Sequence, residues 1–197
     1  MRQVSERDFF SFDGTRLFYR HCPATAPAAA ALLHRGHEHS GRVLHLADEP
    51  GLDDCAMFAW DARGNGRSPG ICGAALGFPA LVRDLDRFIA HIGDTYGIAV
   101  QDIVVIAQSV GAVIASTWVH DYAPPLRALV LASPAFKVKL YVPFARPALA
   151  LLHKLRGNFF VNSYVKPQWL THDPARVASD RAGGANRGAV HMKERQQ

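Results

Sequence analysis

The segment DIVVIAQSVGA, at residues 102–112, constrains the fold of this chain more than any other. Its first half is β-branched and predicts a buried strand, whereas the residues that follow Gly111 predict a helix. Ser109 therefore lies where a strand turns sharply into a helix. We predict that this turn lifts the Ser109 hydroxyl above a sheet and points the backbone N–H of Val110 at a developing oxyanion. The alternative is a serine that only caps an ordinary helix.

The rest of the chain alternates between predicted strands and helices. The Asp13–Gly14 pair lies between two aromatic runs and predicts a hairpin. Further strands are predicted at residues 30–33, 55–60, 102–106 and 126–131, and helices from residue 39 and over 78–96 and 112–120. Gly97 is expected to end the helix over 78–96. This order predicts an α/β fold in which a hairpin is followed by a mostly parallel sheet flanked by helices.

Composition and the positions of proline and glycine divide the 197 residues into three regions. Apolar residues make up 49 % of the chain and charged residues 20 %, a balance typical of globular proteins. Residues 1–136 are predicted to form the core. Residues 137–178, where prolines interrupt an amphipathic piece, are predicted to begin a cap. Residues 179–197 contain no Leu, Ile, Phe, Tyr or Trp and are predicted to be a disordered, non-native tail.

The first residues and the cysteines bear on the compartment. The start MRQVSERDFF is charged and lacks the apolar segment of a secretory signal. No apolar run approaches the ~18 residues that span a bilayer. Cys22, Cys55 and Cys72 are odd in number and have no CxxC spacing, which predicts neither a disulfide framework nor a thiolate zinc site. We expect a cytoplasmic protein, with peripheral membrane contact as an extension of that expectation.

Positive charge is concentrated in one stretch. The net charge is +5, and residues 134–172 hold six Lys or Arg and no Asp or Glu. Because Leu, Phe, Val and Tyr interleave with these cations, residues 137–166 predict a surface that contacts lipid or an anionic interface. A nucleic-acid partner is not predicted, and a solvated cap surface is the alternative.

A histidine-rich loop, LHRGHEHSGR at residues 33–42, follows the strand at 30–33. His34, His37 and His39 suggest a metal site, but the loop has no H-E-x-x-H spacing and Arg35 would lie among the ligands. We therefore predict no metal and no other cofactor. His39, together with Ser40, is expected to cap the next helix.

A glycine-rich loop, DARGNGRSP at residues 61–69, follows the strand at 55–60. A dinucleotide loop would need a third glycine and a helix directly after it. Here the third glycine is missing and Pro69 interrupts a helix start. The sequence predicts a tight structural loop rather than a phosphate site.

In this order, HRGHEHSGR, DARGNGRSPG and AQSVGA resemble the monoglyceride lipase and lysophospholipase branch of the α/β-hydrolases, also described as the serine aminopeptidase S33 type. Its members carry H-G-x-G-E-H-S-G-R, then D-x-R-G-x-G-x-S, then G-x-S-x-G. The resemblance implies an α/β-hydrolase fold, with Ser109 as nucleophile and the N–H groups of Gly36 and Val110 as the oxyanion hole. It implies hydrolysis of monoacylglycerol or lysophospholipid esters through an acyl-Ser109 intermediate.

The chain departs from this pattern in three ways. Arg35 and Ala107 stand where the family has glycine. The family's acid and histidine follow the cap, after two further strands, and Asp173 or Asp180 with His191 satisfy that order without a predicted strand before them.

The third departure predicts an incomplete fold that lacks the last strands and has little activity. The alternative to an enzyme is a non-catalytic remnant that binds acyl chains or proteins. An exposed sheet edge would also favour self-association.

Overall fold

The computed structural model describes residues 2–25, 28–52, 54–70 and 77–136, together with the backbone of residues 160–162 and 189–191. The strands are β1 (Ser5–Phe10), β2 (Arg16–Cys22), β3 (Ala29–Leu33), β4 (Ala56–Trp60), β5 (Ile103–Gln108), β6 (Ala128–Ala132), β7 (Phe160–Asn162) and β8 (Ala189–His191). The α-helices are α1 (Ser40–Val43), α2 (Phe78–Tyr96) and α3 (Val110–Tyr122). The chain divides into two compact units: residues 1–71 with 75–138, and residues 72–74 with 139–197.

Six strands of the first unit form one sheet in the order β1-β2-β4-β3-β5-β6. The β1–β2 hairpin and the β2–β4 pair are antiparallel, whereas β4, β3, β5 and β6 are mutually parallel neighbours. The predicted hairpin and parallel sheet are therefore confirmed. Because parallel strands end at the same edge, the loops that follow β3, β4 and β5 emerge together there. These loops carry the three sequence motifs.

Helices cover the sheet on both faces. On one face α2 and α3 pack against the aromatic side chains of Phe58 and Trp60. On the other face, Val43 of α1 and Ala47 pack against small and aliphatic side chains of β3 and β4. Burial of these side chains, at roughly 25 cal/mol per Å² of apolar surface, stabilises the layered arrangement.

The helices match the predictions unevenly. α2 spans residues 78–96 as predicted, and Gly97 ends it in the left-handed conformation at φ +69°. The helix predicted from residue 39 is instead four residues long and continues as a 3₁₀ helix over Leu44–Asp48. Glu49 then adopts an extended conformation at ψ 135°. It precedes Pro50, and the residue before a proline disfavours the helical region.

The strand β6 lies at one end of the described sheet, and part of it is accessible to solvent. Among the described strands, β6 pairs with β5 alone. The side chain of Val130, at its centre, is 48 % exposed. Leu129 and Leu131, which alternate with it, pack against the core instead. One face of β6 is thus buried and the other reaches solvent.

The second unit is described only at its two strands, which pair in antiparallel fashion. The rest of the predicted cap, basic surface and tail lies outside the described residues, so these boundaries stay predictions. In the part of the chain that the structure describes, no helix is long and apolar enough to cross a membrane.

Candidate active site

Ser109 occupies the junction between β5 and α3 in a strained backbone conformation, with φ +54° and ψ −112°. Such values are rare for a residue with a side chain and persist only when surrounding contacts enforce them. Here the Ser109 N–H donates to the carbonyl oxygen of Ala132 at 2.9 Å, and its carbonyl accepts from the N–H of Ala135 at 3.3 Å. The Ser109 side chain makes no capping hydrogen bond. Ser109 is therefore not a serine whose side chain only caps a helix.

The two residues predicted for the oxyanion hole are in contact. A Cβ atom placed on Gly36 would lie 3.2 Å from Cγ2 of Val110. Val110 is the first residue of α3, where backbone N–H groups have no partner inside the helix. Within the described residues, neither the Gly36 N–H nor the Val110 N–H donates a hydrogen bond.

His34 joins the loop after β3 to the loop after β4. Its Nδ1–H donates to the carbonyl oxygen of Arg35 at 2.6 Å, and its Nε2 accepts from the N–H of Ala62 at 3.0 Å. The two partners fix the neutral tautomer with the proton on Nδ1, because a carbonyl only accepts and an amide only donates. Burial lowers the pKa of His34 below its usual range. A neutral, fully bonded imidazole is a structural element here rather than a metal ligand.

The hydrogen bond from His34 also orients the Gly36 amide. The carbonyl of Arg35 and the N–H of Gly36 belong to one planar peptide unit and point in opposite directions. Because the carbonyl is held by His34 in the protein interior, the N–H is turned away from His34. This linkage was not predicted from the sequence, although the order of the motifs indicated that the two loops share one sheet edge.

The turn that follows contains a second strained residue. His37 has φ +61°, a region that favours glycine, and the family pattern H-G-x-G-E-H-S-G-R has glycine at this position. Across the turn, Nε of Arg35 lies 2.8 Å from a carboxylate oxygen of Glu38. His39 then caps α1 by accepting from the N–H of Gly41 at 3.2 Å, as predicted.

The glycine-rich loop is held by Asp61, whose side chain is fully buried. One carboxylate oxygen accepts from the N–H of Ser40 at 2.6 Å and the other from the N–H of Arg67 at 2.7 Å. The hydroxyl of Ser68 donates to the Asp61 carbonyl at 2.5 Å and accepts from the N–H of Phe18 at 2.9 Å. The prediction of a tight structural loop is confirmed, because the side chains of Asp61 and Ser68 are buried and bond to the loop's own backbone.

An ion cluster that the sequence did not reveal lies beneath this loop. The guanidinium of Arg63 donates from Nε and Nη2 to the two carboxylate oxygens of buried Asp84, at 3.0 and 2.7 Å. It also contacts Asp13 at 2.9 Å, and that arginine lowers the pKa of Asp13 to about 2. The hydroxyl of Ser11 donates to Asp84 as well. This cluster connects the β1–β2 turn, the glycine-rich loop and α2.

The remaining predicted residues lie outside the described side chains. The backbone of His191 belongs to β8, but its side chain and those of Asp173 and Asp180 are not described. Among the described residues, no group of three His, Cys, Asp or Glu side chains could hold a metal ion. The structure thus brings together Ser109, Val110 and Gly36, and leaves the identity of an acid and a base as a prediction.

Comparison with known proteins identifies the family. The family model described as serine aminopeptidase, S33, matches residues 24–191 of the chain. The chain belongs to this family. Its fold is that of an α/β-hydrolase, and the protein is monoglyceride lipase-like, as the resemblance implied.

Two relatives are similar to this S33 protein over most of its length. It is 58 % identical over 181 residues to the uncharacterized protein YnbC of Escherichia coli (strain K12), and 32 % identical over 188 residues to a monoacylglycerol lipase of Mycolicibacterium smegmatis. Each match covers 90 % of this chain. The chain spans 31 % of the first relative and 64 % of the second, so it corresponds to part of their length.

A solved structure agrees with the fold. The monoacylglycerol lipase of Paleococcus ferrophilus superposes with a TM-score of 0.73 at 20 % sequence identity. The match covers 89 % of this chain and 65 % of that one. At this identity the likeness concerns the fold alone.

Proposed function

We propose that this S33 protein is a serine hydrolase that cleaves carboxylic esters of the monoacylglycerol or lysophospholipid type through an acyl-Ser109 intermediate. The observation that carries the proposal is the strained backbone of Ser109, between β5 and α3, with the Gly36 and Val110 amides beside it. The 32 % identical relative from Mycolicibacterium smegmatis, which is named monoacylglycerol lipase, supports this substrate class. No metal or other cofactor is required by the mechanism.

In the proposed reaction the Ser109 oxygen bonds to the acyl carbonyl carbon, and the proton of its hydroxyl passes to a base. The carbonyl oxygen becomes an oxyanion and accepts hydrogen bonds from the N–H groups of Gly36 and Val110. The C–O bond to the glycerol or lysolipid alcohol then breaks, and the departing oxygen takes up the proton. Water attacks the acyl-Ser109 ester in a second round of the same steps and releases the fatty acid.

The base is the component whose position is not described. The family's chain order gives this role to a histidine after the cap, oriented by an acid. General-base catalysis typically contributes ~10²–10⁴-fold to such reactions. His34 does not suit the role, because its Nε2 accepts from the N–H of Ala62 and its Nδ1–H donates to the carbonyl of Arg35.

Labelling with a fluorophosphonate tests the nucleophile, since the reagent forms an oxygen–phosphorus bond with an activated serine and releases fluoride. We expect the wild type to be labelled at Ser109 and the Ser109→Ala variant to remain unlabelled. Ser116→Ala is the matched control, because the Ser116 hydroxyl donates to the Val113 carbonyl within α3. Equal labelling of wild type and Ser109→Ala would show that Ser109 is not the nucleophile.

Hydrolysis assays with a monoacylglycerol, a lysophospholipid and a short-chain ester test the substrate class. We expect little turnover by this chain, and in a version extended with the family's C-terminal strands we expect turnover of the first two substrates to fall roughly 10³-fold or more in Ser109→Ala, the size of loss that follows removal of a catalytic nucleophile. Turnover confined to the short-chain ester would favour a general esterase instead.

A second candidate function is binding rather than catalysis, and the exposed face of β6 favours it. Val130 on this strand and Phe136 beyond it are exposed apolar side chains, and such surfaces at a sheet edge favour pairing with another chain. A second copy of the chain is the proposed partner. The basic residues 137–166 are proposed to contact an anionic lipid surface, on the sequence pattern alone.

A further inference from the structure

We propose that the ion pair between Arg35 and Glu38 is a positioning device that holds the Gly36 amide in the orientation needed for oxyanion binding. The inference rests on the proposed function, because it assigns a role to the loop that carries one oxyanion donor. Arg35 is one of the residues at which this chain departs from the family pattern, which has glycine there.

The geometry of the turn supports this role. Arg35 and Glu38 are the first and last residues of a turn whose two central residues are Gly36 and His37. Nε of Arg35 lies 2.8 Å from Oε1 of Glu38, so the ion pair joins the side chains of the first and last residues of the turn. A positive φ at the third residue, His37, is the arrangement of a type II turn. Glycine or asparagine normally occupies that position, so the conformation of His37 persists because contacts around the turn enforce it.

The ion pair between Arg35 and Glu38 is largely shielded from solvent, which strengthens its hold on the turn. The side chains of Arg35 and Glu38 are 19 % and 8 % exposed, respectively. A pair shielded from solvent is screened less by water and salt than a surface pair, and loss of one partner leaves a poorly solvated charge. The pair therefore opposes opening of the turn more strongly than an exposed ion pair would.

The ion pair complements the hydrogen bond made by His34. His34 holds the carbonyl of Arg35 and so sets the plane of the Arg35–Gly36 peptide. The side chain of Arg35 also binds Glu38, so the last residue of the turn is linked to the first. The hydrogen bond from His34 and the ion pair to Glu38 therefore both restrain the turn that carries the Gly36 amide.

The test uses a set of variants of the whole chain. Arg35→Met and Glu38→Gln each remove one charge, the double variant removes both, and Arg35→Lys keeps the positive charge. Arg127→Met is the matched control, because it breaks an ion pair with Asp102 at the opposite end of the sheet. Two quantities are measured for each protein: the ¹⁵N order parameter of the Gly36 amide, and the dissociation constant of butylboronic acid.

Butylboronic acid probes the oxyanion site at equilibrium. Its boron atom bonds to the Ser109 oxygen, the hydroxyl proton is released to solvent, and the resulting tetrahedral boronate carries a negative charge beside the Gly36 and Val110 amides. The adduct requires no turnover. Ser109→Ala shows which part of the binding depends on the serine, and neutral butanamide shows whether binding that involves no negative charge is affected.

We expect an order parameter of about 0.85 for Gly36 in the wild type and in Arg127→Met, as in rigid backbone, and a fall below about 0.6 in the two single variants. Boronate binding should weaken roughly tenfold in both single variants, while butanamide binding is unchanged. The double variant should be no worse than Arg35→Met, because Arg35→Met already removes the interaction that Glu38→Gln removes. Arg35→Lys should retain most of the wild-type values.

Two results would overturn the inference. The first is an unchanged Gly36 order parameter in Arg35→Met and Glu38→Gln. The second is a lowered order parameter with unaltered boronate affinity, since the pair would then stiffen the turn without positioning the amide. If the wild type shows no Ser109-dependent boronate binding, the proposed hydrolase function fails. In that case the order parameters still decide whether the ion pair holds the turn.

Discussion

Gly111 of α3 and His34 of the loop after β3 approach so closely that a Cβ atom on Gly111 would lie 2.6 Å from the His34 carbonyl oxygen. The same atom would lie 3.0 Å from the Leu33 carbonyl oxygen. Both obstacles are backbone atoms, which cannot rotate away. The absence of a side chain at this position is what allows α3 to start against the end of β3, and so brings Val110 next to Gly36.

Replacing Gly111 with alanine should therefore destabilise the protein and separate the two amides. Overpacking of this kind typically costs about 1–3 kcal/mol, and the backbone contacts place Gly111→Ala at the upper end. Gly93→Ala is the control, because its Cβ would meet a carbonyl at 3.4 Å, an ordinary contact, and alanine favours a helix. Urea unfolding of both variants measures the difference, and a Gly111→Ala variant as stable as Gly93→Ala would contradict the argument.

Local patterns predicted most of the fold correctly. The β-branched run before Ser109 predicted β5, the spacing of Leu81, Leu85 and Phe88 predicted α2, and the Asp13–Gly14 pair predicted the hairpin. Each of these signals lies within a few residues of the element that it specifies. The position of Ser109 was predictable for the same reason, because the strand, the turn and the helix are adjacent in the sequence.

Contacts between distant residues could not be predicted from these patterns. The Ala62 N–H that bonds His34, and the Asp84 carboxylate that binds Arg63, lie 28 and 21 residues from their partners. Pairing over such distances depends on strand order, and strand order emerges only when the sheet assembles. The helix predicted from residue 39 differs for another reason: Pro50 disfavours the helical region at Glu49 and so accounts for the end of the 3₁₀ helix at Asp48, while nothing in the structure explains why α1 gives way to it after Val43.

The buried imidazole of His34 should make stability depend on pH. Burial lowers its pKa in the folded state, so between that value and the usual value of about 6.5 the unfolded chain binds a proton that the folded chain does not. Stability is therefore complete above about pH 6.5 and falls as the pH is lowered, by up to about 1.4 kcal/mol per pH unit for one group.

His34→Gln removes this titration while its amide oxygen can still accept from Ala62. We expect the variant to lose less stability than the wild type between pH 7 and pH 5, with part of the dependence retained because burial also lowers the pKa of His21 and His91. His120→Gln, at an exposed site in α3, controls for the histidine-to-glutamine change itself. Denaturant unfolding at several pH values measures the slopes, and identical slopes for His34→Gln and wild type would refute this linkage.

The ion cluster beneath the glycine-rich loop should contribute strongly to stability. Asp84 is fully buried and accepts two hydrogen bonds from Arg63, so Asp84→Asn removes the charge of the buried carboxylate and leaves Arg63 paired with the more exposed Asp13. Loss of one partner from a buried pair costs about 3–5 kcal/mol.

Asp8→Asn provides the comparison for Asp84→Asn. Asp8 pairs with Arg16 at 3.7 Å on the surface, and exposed pairs contribute about 0–1 kcal/mol. We expect thermal unfolding to show a large decrease in midpoint for Asp84→Asn and almost none for Asp8→Asn. Similar midpoints for the two variants would mean that the cluster is not a major source of stability.

The exposed centre of β6 should govern association between copies of the chain. Val130 is 48 % exposed on a strand that pairs, among the described strands, with β5 alone. Lysine on an edge strand opposes pairing with another strand, because two ammonium groups would be brought together and desolvated. Val130→Lys should therefore reduce self-association without a loss of fold. Sedimentation velocity over a range of concentrations measures the association.

Tyr122→Lys is the matched control, since Tyr122 is similarly exposed, at 45 %, but is the last residue of α3 and not part of β6. We expect wild type and Tyr122→Lys to associate alike, and Val130→Lys to remain monomeric with an unchanged unfolding midpoint. Monomeric wild type at the highest concentration would remove the basis for a second copy as the partner. Equal association of all three proteins would place the contact elsewhere than at β6.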